Sequence, residues 1–151
     1  MKKIILASII IALSGAVHAE SAFTNADDAL KYRKASFSLI RHNTADIADM
    51  VVKGAVPFDA KRVQKRADAL AALTTLPWDA FAVPGAEQKP GDTKADAWKN
   101  NADFTKRAQS FVADAKALQV AANGGDQAAI KTAFIAFSKN CKACHEQYKA
   151  D

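Results

Sequence analysis

This chain has little from which to build a cross-linked framework or a protein-only metal cage. Of its 151 residues, two are cysteine, two methionine and three histidine. Two cysteines cannot make the disulfide scaffold of a small secreted domain. A structural zinc site takes about four ligands, and the histidines lie scattered at positions 18, 42 and 145. No apolar run approaches the roughly 20 residues that cross a bilayer. Strand-type alternation and internal repeats are missing too. Lys and Arg number 21 against 16 acids, but they are spread along the chain, which speaks for solvated helix faces and against a nucleic-acid patch.

What is present begins with an export signal. Met1 to Ala19 carries Lys2 and Lys3, then the apolar run Ile4 to Leu13, then small residues at the cleavage positions of Val17-His18-Ala19. The run is too short for a transmembrane helix, so a retained anchor is disfavoured and a soluble, exported product is expected. Cleavage after Ala19 leaves 132 residues starting at Glu20 and lowers the net charge from +5 to +3. That is one domain, 20–151, large enough for a single core.

Four segments have helical periodicity. The first opens at Asn25, a good N-cap followed by Asp27 and Asp28, and runs to about Lys53 before Gly54. Its stripe in steps of three and four is Leu30, Arg33, Phe37, Ile40, Thr44, Ile47, Val51. Pro57 and Asp59 start a second helix, ended by Pro77. "LPWDAFAVPGAEQKPGDTKA" then connects; its three prolines forbid a continuous helix and suggest a path over the bundle surface. A third helix is expected from about Ala95 to Ala122, and a fourth from the N-cap Asp126 to about Lys149, with Ile130, Phe134, Phe137, Cys141, Cys144 and Tyr148 on one face. Four such helices predict an all-α, antiparallel four-helix bundle.

Both cysteines fall in "CKACH", Cys141 to His145, the C-x-x-C-H pattern of c-type haem attachment. Residues i and i+3 share a helix face, so two thiols can add to the two vinyl groups along one porphyrin edge. The histidine next to the second thiol is then carried to the iron. A redox dithiol is a weaker reading, since such pairs sit at a helix N-terminus. Zinc lacks ligands.

A second strong iron ligand is hard to find. After Ala19 the remaining candidates are His42 and Met50. His42 lies about 200° around the helix from Ile40, facing solvent. In an up-down-up-down bundle a haem on the fourth helix meets the first turns of helix one, beside Arg33 to Phe37. Met50 is then roughly 20 Å away. Phe37 is the candidate to cover the open face, which predicts five-coordinate iron under an apolar, crowded site. Arg33 on a core stripe needs an anion, and a haem propionate would be one.

These features, with "DDALKYRKASFSLI", "PFDA", "LPWDAF" and "CKACHEQY", resemble the cytochromes c′ over essentially all of 20–151. The resemblance implies one covalently bound haem c near the C-terminus. Cys141 and Cys144 match the thioether positions and His145 the axial ligand. Arg33 and Lys34 match propionate contacts, and Ala86 and Glu87 match a loop near the propionates. Phe37 matches the bulky distal position, which is methionine in low-spin relatives. Lys149 matches a basic proximal residue that is often arginine; lysine loses the fork of donors. The resemblance further implies export to the periplasm, homodimers through helices one and two, and binding of small gases, nitric oxide above all. A Phe37 ring over the iron adds a steric cost, which predicts weak carbon monoxide binding.

Three functions compete. Gas binding ranks first, electron transfer with a periplasmic redox partner second. Catalysis ranks last, because it would want a distal acid–base residue and the stripe offers Phe37 and aliphatic neighbours. No nucleic-acid or membrane partner is expected.

Overall fold

The computed structural model describes residues 22–150. The expected export signal, 1–19, lies outside the described residues. Five helices follow in order: α1 (Ala26–Val51), α2 (Ala60–Leu73), the single turn α3 (Asp96–Lys99), α4 (Asn101–Gly124) and α5 (Gln127–Tyr148). The four long ones form the bundle, packing in the sequence α1 on α2, α2 on α4, α4 on α5. Among the described residues no helix is long and apolar enough to cross a membrane.

Local chemistry sets the ends. Asn25 accepts a hydrogen bond from the Asp28 N–H at 2.9 Å, Asp59 from Arg62 at 3.0 Å and Asp126 from Ala129 at 2.7 Å. Each satisfies a backbone donor that the first turn leaves open. Gly125, at φ +73°, ends α4 in the left-handed conformation.

The main core is aliphatic toward the α4–α5 turn and gains rings toward the cysteines. Ile47, Val63, Leu70, Leu118, Ile130 and Phe137 are completely buried, each such side chain stabilising the fold by roughly 1.5–3 kcal/mol. The buried face of α1 is Ala29, Arg33, Ser36, Ile40, Asn43, Ile47, Met50 and Val51. It is rotated slightly from the expected stripe: Leu30, Phe37 and Thr44 sit half-buried at its margin.

The third helix is not continuous. It breaks at Asn100 (φ −111°, ψ 50°) into α3 and α4. The break lets α3 turn inward, burying Ala97 and bringing the Trp98 indole N–H to Phe81 O at 3.0 Å. The fourth helix stops one residue early, because Lys149 turns extended and bridges Thr93. The long connection is less superficial than its composition suggests. Its two 3₁₀ turns, Asp79–Phe81 and Ala86–Gln88, bury Ala80, Val83 and Ala86 against Ala29 of α1.

Candidate haem site

Cys141 and Cys144 lie on the inner margin of α5, half-buried and unpaired. The Cys141 thiol is within 3.5 Å of Phe137 O and packs on the main core. Cys144 packs on a second cluster of Ala97, Phe104 and Tyr148. Burial pushes the Cys141 thiol up to about 12 and the Cys144 thiol up as well, Arg107 pulling the other way. A redox-active pair needs a stabilised thiolate; these sites favour the neutral thiol. Among the described residues no three His, Cys, Asp or Glu side chains converge as a metal cage. His145 is exposed on the next position. Partial desolvation, then the charge of Lys149, lower its pKa.

Arg33 enters from α1. The residue is 3% exposed, and its guanidinium lies 4.5 Å over the Phe81 ring and 5.7 Å from that of Trp98. Nη2 donates to Lys89 O at 2.7 Å, but Nη1 is buried without a hydrogen-bond partner. Buried donors are rarely left so. A carboxylate would complete this one, so the residues fit a haem propionate.

The other expected residues divide. Phe37 is half-buried on α1, packed against the cluster that also takes Cys141. Lys34 is exposed, with its side chain across Gly91. Lys149 is exposed and its Nζ donates to Ala150 O at 3.3 Å. Glu87 is exposed on its 3₁₀ turn. Ala86 has its side chain fully buried among Ala29, Ala80 and Val83, and its N–H donates to Val83 O. It holds the turn against α1. His42 is exposed beside Arg41, and Met50, 3% exposed, lies in the main core with Val51, Val63 and Ile130.

Sequence reasoning missed the centre of this end of the bundle. Trp78 stands among Phe37 at 5.9 Å, Phe81 at 6.2 Å, Phe104 at 5.9 Å and Phe111 at 6.3 Å, and its indole N–H donates to Thr74 O at 2.6 Å. Proline and aromatics together in "LPWDAF" were the available signal. Nothing in the sequence pairs Asp103 with Tyr148, yet the Tyr148 hydroxyl donates to Asp103 Oδ2 at 2.6 Å, and Arg107 Nε donates to the same oxygen at 2.6 Å. Tyr148 first, then Arg107, hold the Asp103 carboxyl below its usual range. The far end of Arg107 reaches Ala143 O at 3.5 Å, between the two cysteines.

The family model described as Cytochrome C' matches residues 28–149. The chain belongs to the cytochrome c′ family. It is 35% identical over 127 residues to cytochrome c′ from Alcaligenes xylosoxydans xylosoxydans, covering 84% of this chain and 97% of that one. Cytochrome c prime from Shewanella frigidimarina is similar at 41% identity and a TM-score of 0.81, over 85% of this chain and 99% of that one. A ferrous variant of cytochrome c prime from Alcaligenes xylosoxidans, solved with bound NO, is similar at 35% identity and a TM-score of 0.78, over 85% and 98% of the two chains. A further variant from that organism was solved with carbon monoxide bound; identity is 34%, the TM-score 0.78 and the coverage 85% and 99%. Cytochromes c′ carry a covalently attached haem c, and that is the cofactor of this chain.

Proposed function

We propose that this cytochrome c′ is an exported haem protein that takes up small gaseous ligands, nitric oxide foremost, and is not an enzyme. Cys141 and Cys144 would hold the porphyrin edge, each Sγ forming a thioether by addition to a vinyl group, which needs no oxidant. His145 would ligate the iron, and Arg33 would anchor a propionate through its unpartnered Nη1. When bound, the haem would supply the iron that takes up the gas. Phe37 limits the room there and offers no donor.

The observation that carries this reading is where the alternative ligands lie. A dedicated electron carrier usually brings a second Met or His to the iron. Here Met50 is packed in the main core and His42 faces solvent. The relatives solved with NO and carbon monoxide support the same choice. A bound gas of low polarity needs little hydrogen bonding, which suits an aromatic surround. Electron transfer with a periplasmic partner is the second reading, and homodimerisation through α1 and α2 accompanies both.

The test is the optical spectrum of the ferrous holoprotein before and after nitric oxide. A high-spin, five-coordinate resting spectrum that changes on adding the gas is expected. A sharp low-spin resting spectrum, unmoved by nitric oxide, would overturn the proposal in favour of a carrier.

A further inference from the structure

α1 and α5 carry the two walls of the proposed site, yet they meet directly far less than α5 meets α4. The segment 89–94 spans the difference. On the α1 side, Lys89 O accepts from Arg33 Nη2 and Lys89 Nζ pairs with Asp27 at 3.1 Å. Gly91, at φ +61°, lies so close to α1 that a Cβ there would stand 2.8 Å from Leu30 Cδ1 and 3.4 Å from Lys34 Cε. On the α5 side, the Lys94 N–H donates to Tyr148 O and the Ala150 N–H to Asp92 O, both at 2.8 Å. Thr93 and Lys149 form an antiparallel bridge, and Lys94 Nζ donates to Glu146 O at 3.2 Å.

Surface loops ordinarily leave much of their backbone to water. This one is bonded to a different helix at each end, on α1 around Arg33 and at the end of α5 over residues 146–150, directly after His145. We infer that residues 89–94 are a positioning strap that holds the Arg33 turn of α1 against the end of α5 just past His145, and so sets how much room a gas finds beside Phe37. The inference rests on the haem-site reading above. Gly91 is its key position. Alanine strains the left-handed backbone at φ +61° and meets the tip of the half-buried Leu30 side chain; relief of the backbone strain shifts the strap, taking the Lys89 carbonyl from Arg33 and loosening α1 from α5.

The experiment uses holoprotein matured with a haem-ligation system. Gly91→Ala is expected to raise ferrous carbon monoxide affinity by about tenfold while the resting spectrum keeps its five-coordinate form. Leu30→Ala in the same background removes the colliding atom and is expected to restore part of the original affinity, as a coupled pair should. Affinity within about twofold of wild type, alongside a lowered Tm, makes the strap merely structural and overturns the inference.

If Gly91→Ala does not fold, amide exchange in the wild-type holoprotein decides. Exchange at Lys94 and Ala150 is expected to quicken in the carbon monoxide complex, and unchanged rates overturn the inference. The ferric electron paramagnetic resonance spectrum separates the two proposals because it needs no gas. A wild type that binds neither gas sinks the gas-binding proposal, whereas a Gly91→Ala spectrum that shifts still shows the strap positioning the haem surroundings, and an unshifted one overturns the strap.

Discussion

The two ends of this bundle are built differently. Toward the α4–α5 turn, long helices bury Val51, Val63, Ala122 and Ile130, aliphatic residues that satisfy one another. Toward the cysteines, the walls are two 3₁₀ turns, a broken helix and a group of rings around Trp78. Among the described residues, the two buried polar side-chain atoms without a hydrogen-bond partner, Arg33 Nη1 and Thr74 Oγ1, are at this second end. Apolar packing closes the first end without help. The second uses directional chemistry and leaves donor capacity for a polar group such as a propionate. One end maintains the fold, and the other adapts the same fold to a flat, partly charged guest.

Core truncation should separate them most sharply. Leu118→Ala, at a fully buried position, is expected to cost about 3 kcal/mol of stability and to leave the ferrous spectrum and gas affinity unchanged. Trp78→Ala is expected to cost a similar amount, and to shift the spectrum as well because Phe37 and Phe81 lose their shared neighbour. Chemical denaturation paired with optical spectra checks both. Identical spectral behaviour in the two variants would erase the distinction between the ends.

A narrower test is Phe37→Ala. Removing a half-buried ring from the pocket margin is expected to raise carbon monoxide affinity by about tenfold, with a smaller loss of stability than Trp78→Ala. Unchanged affinity would mean that Phe37 does not cover the iron.

The smallest effect concerns the surface of the first end. Asp46 joins Arg66 at 2.6 Å and also bonds Arg62, and the Arg62 contact, then that of Arg66, lower its pKa. Its contribution is therefore complete above the unfolded carboxylate range near 4 and is lost as pH falls through the lower folded value. Asp46→Asn is expected to cost less than about 1 kcal/mol at neutral pH, with the gap to wild type narrowing below about pH 4. Thermal unfolding across pH reads it, and an equal gap at every pH would remove the ion pair from the account.

How much could be read from the chain follows the same division. Caps such as Asn25, Asp59 and Asp126 announce helix starts because their chemistry is local. Ile40, Ile47 and Val51 could be read as core because periodicity survives wherever a helix stays regular. Cys141, Cys144 and His145 were legible as a haem motif because their spacing is itself the chemistry. Arg33 stood out as a charge on an apolar stripe, and its burial beside Phe81 gives that oddity a location. Illegible were the contacts made across the chain. The break at Asn100 depends on where Trp98 must turn, and the Tyr148–Asp103 bond joins residues 45 positions apart. The burial of Ala86 was illegible too, because its loop approaches α1 through a methyl group, which no pattern of polarity reveals.

The turn between α4 and α5 has a practical use. A Cβ added at Gly124 would meet nothing within 4 Å, and Gly124 lacks the left-handed backbone of Gly125. Exposed turns of this kind tolerate insertion, so a tether grafted there would fix the protein to an electrode or bead with its pigmented end pointing away, free to sense dissolved gas.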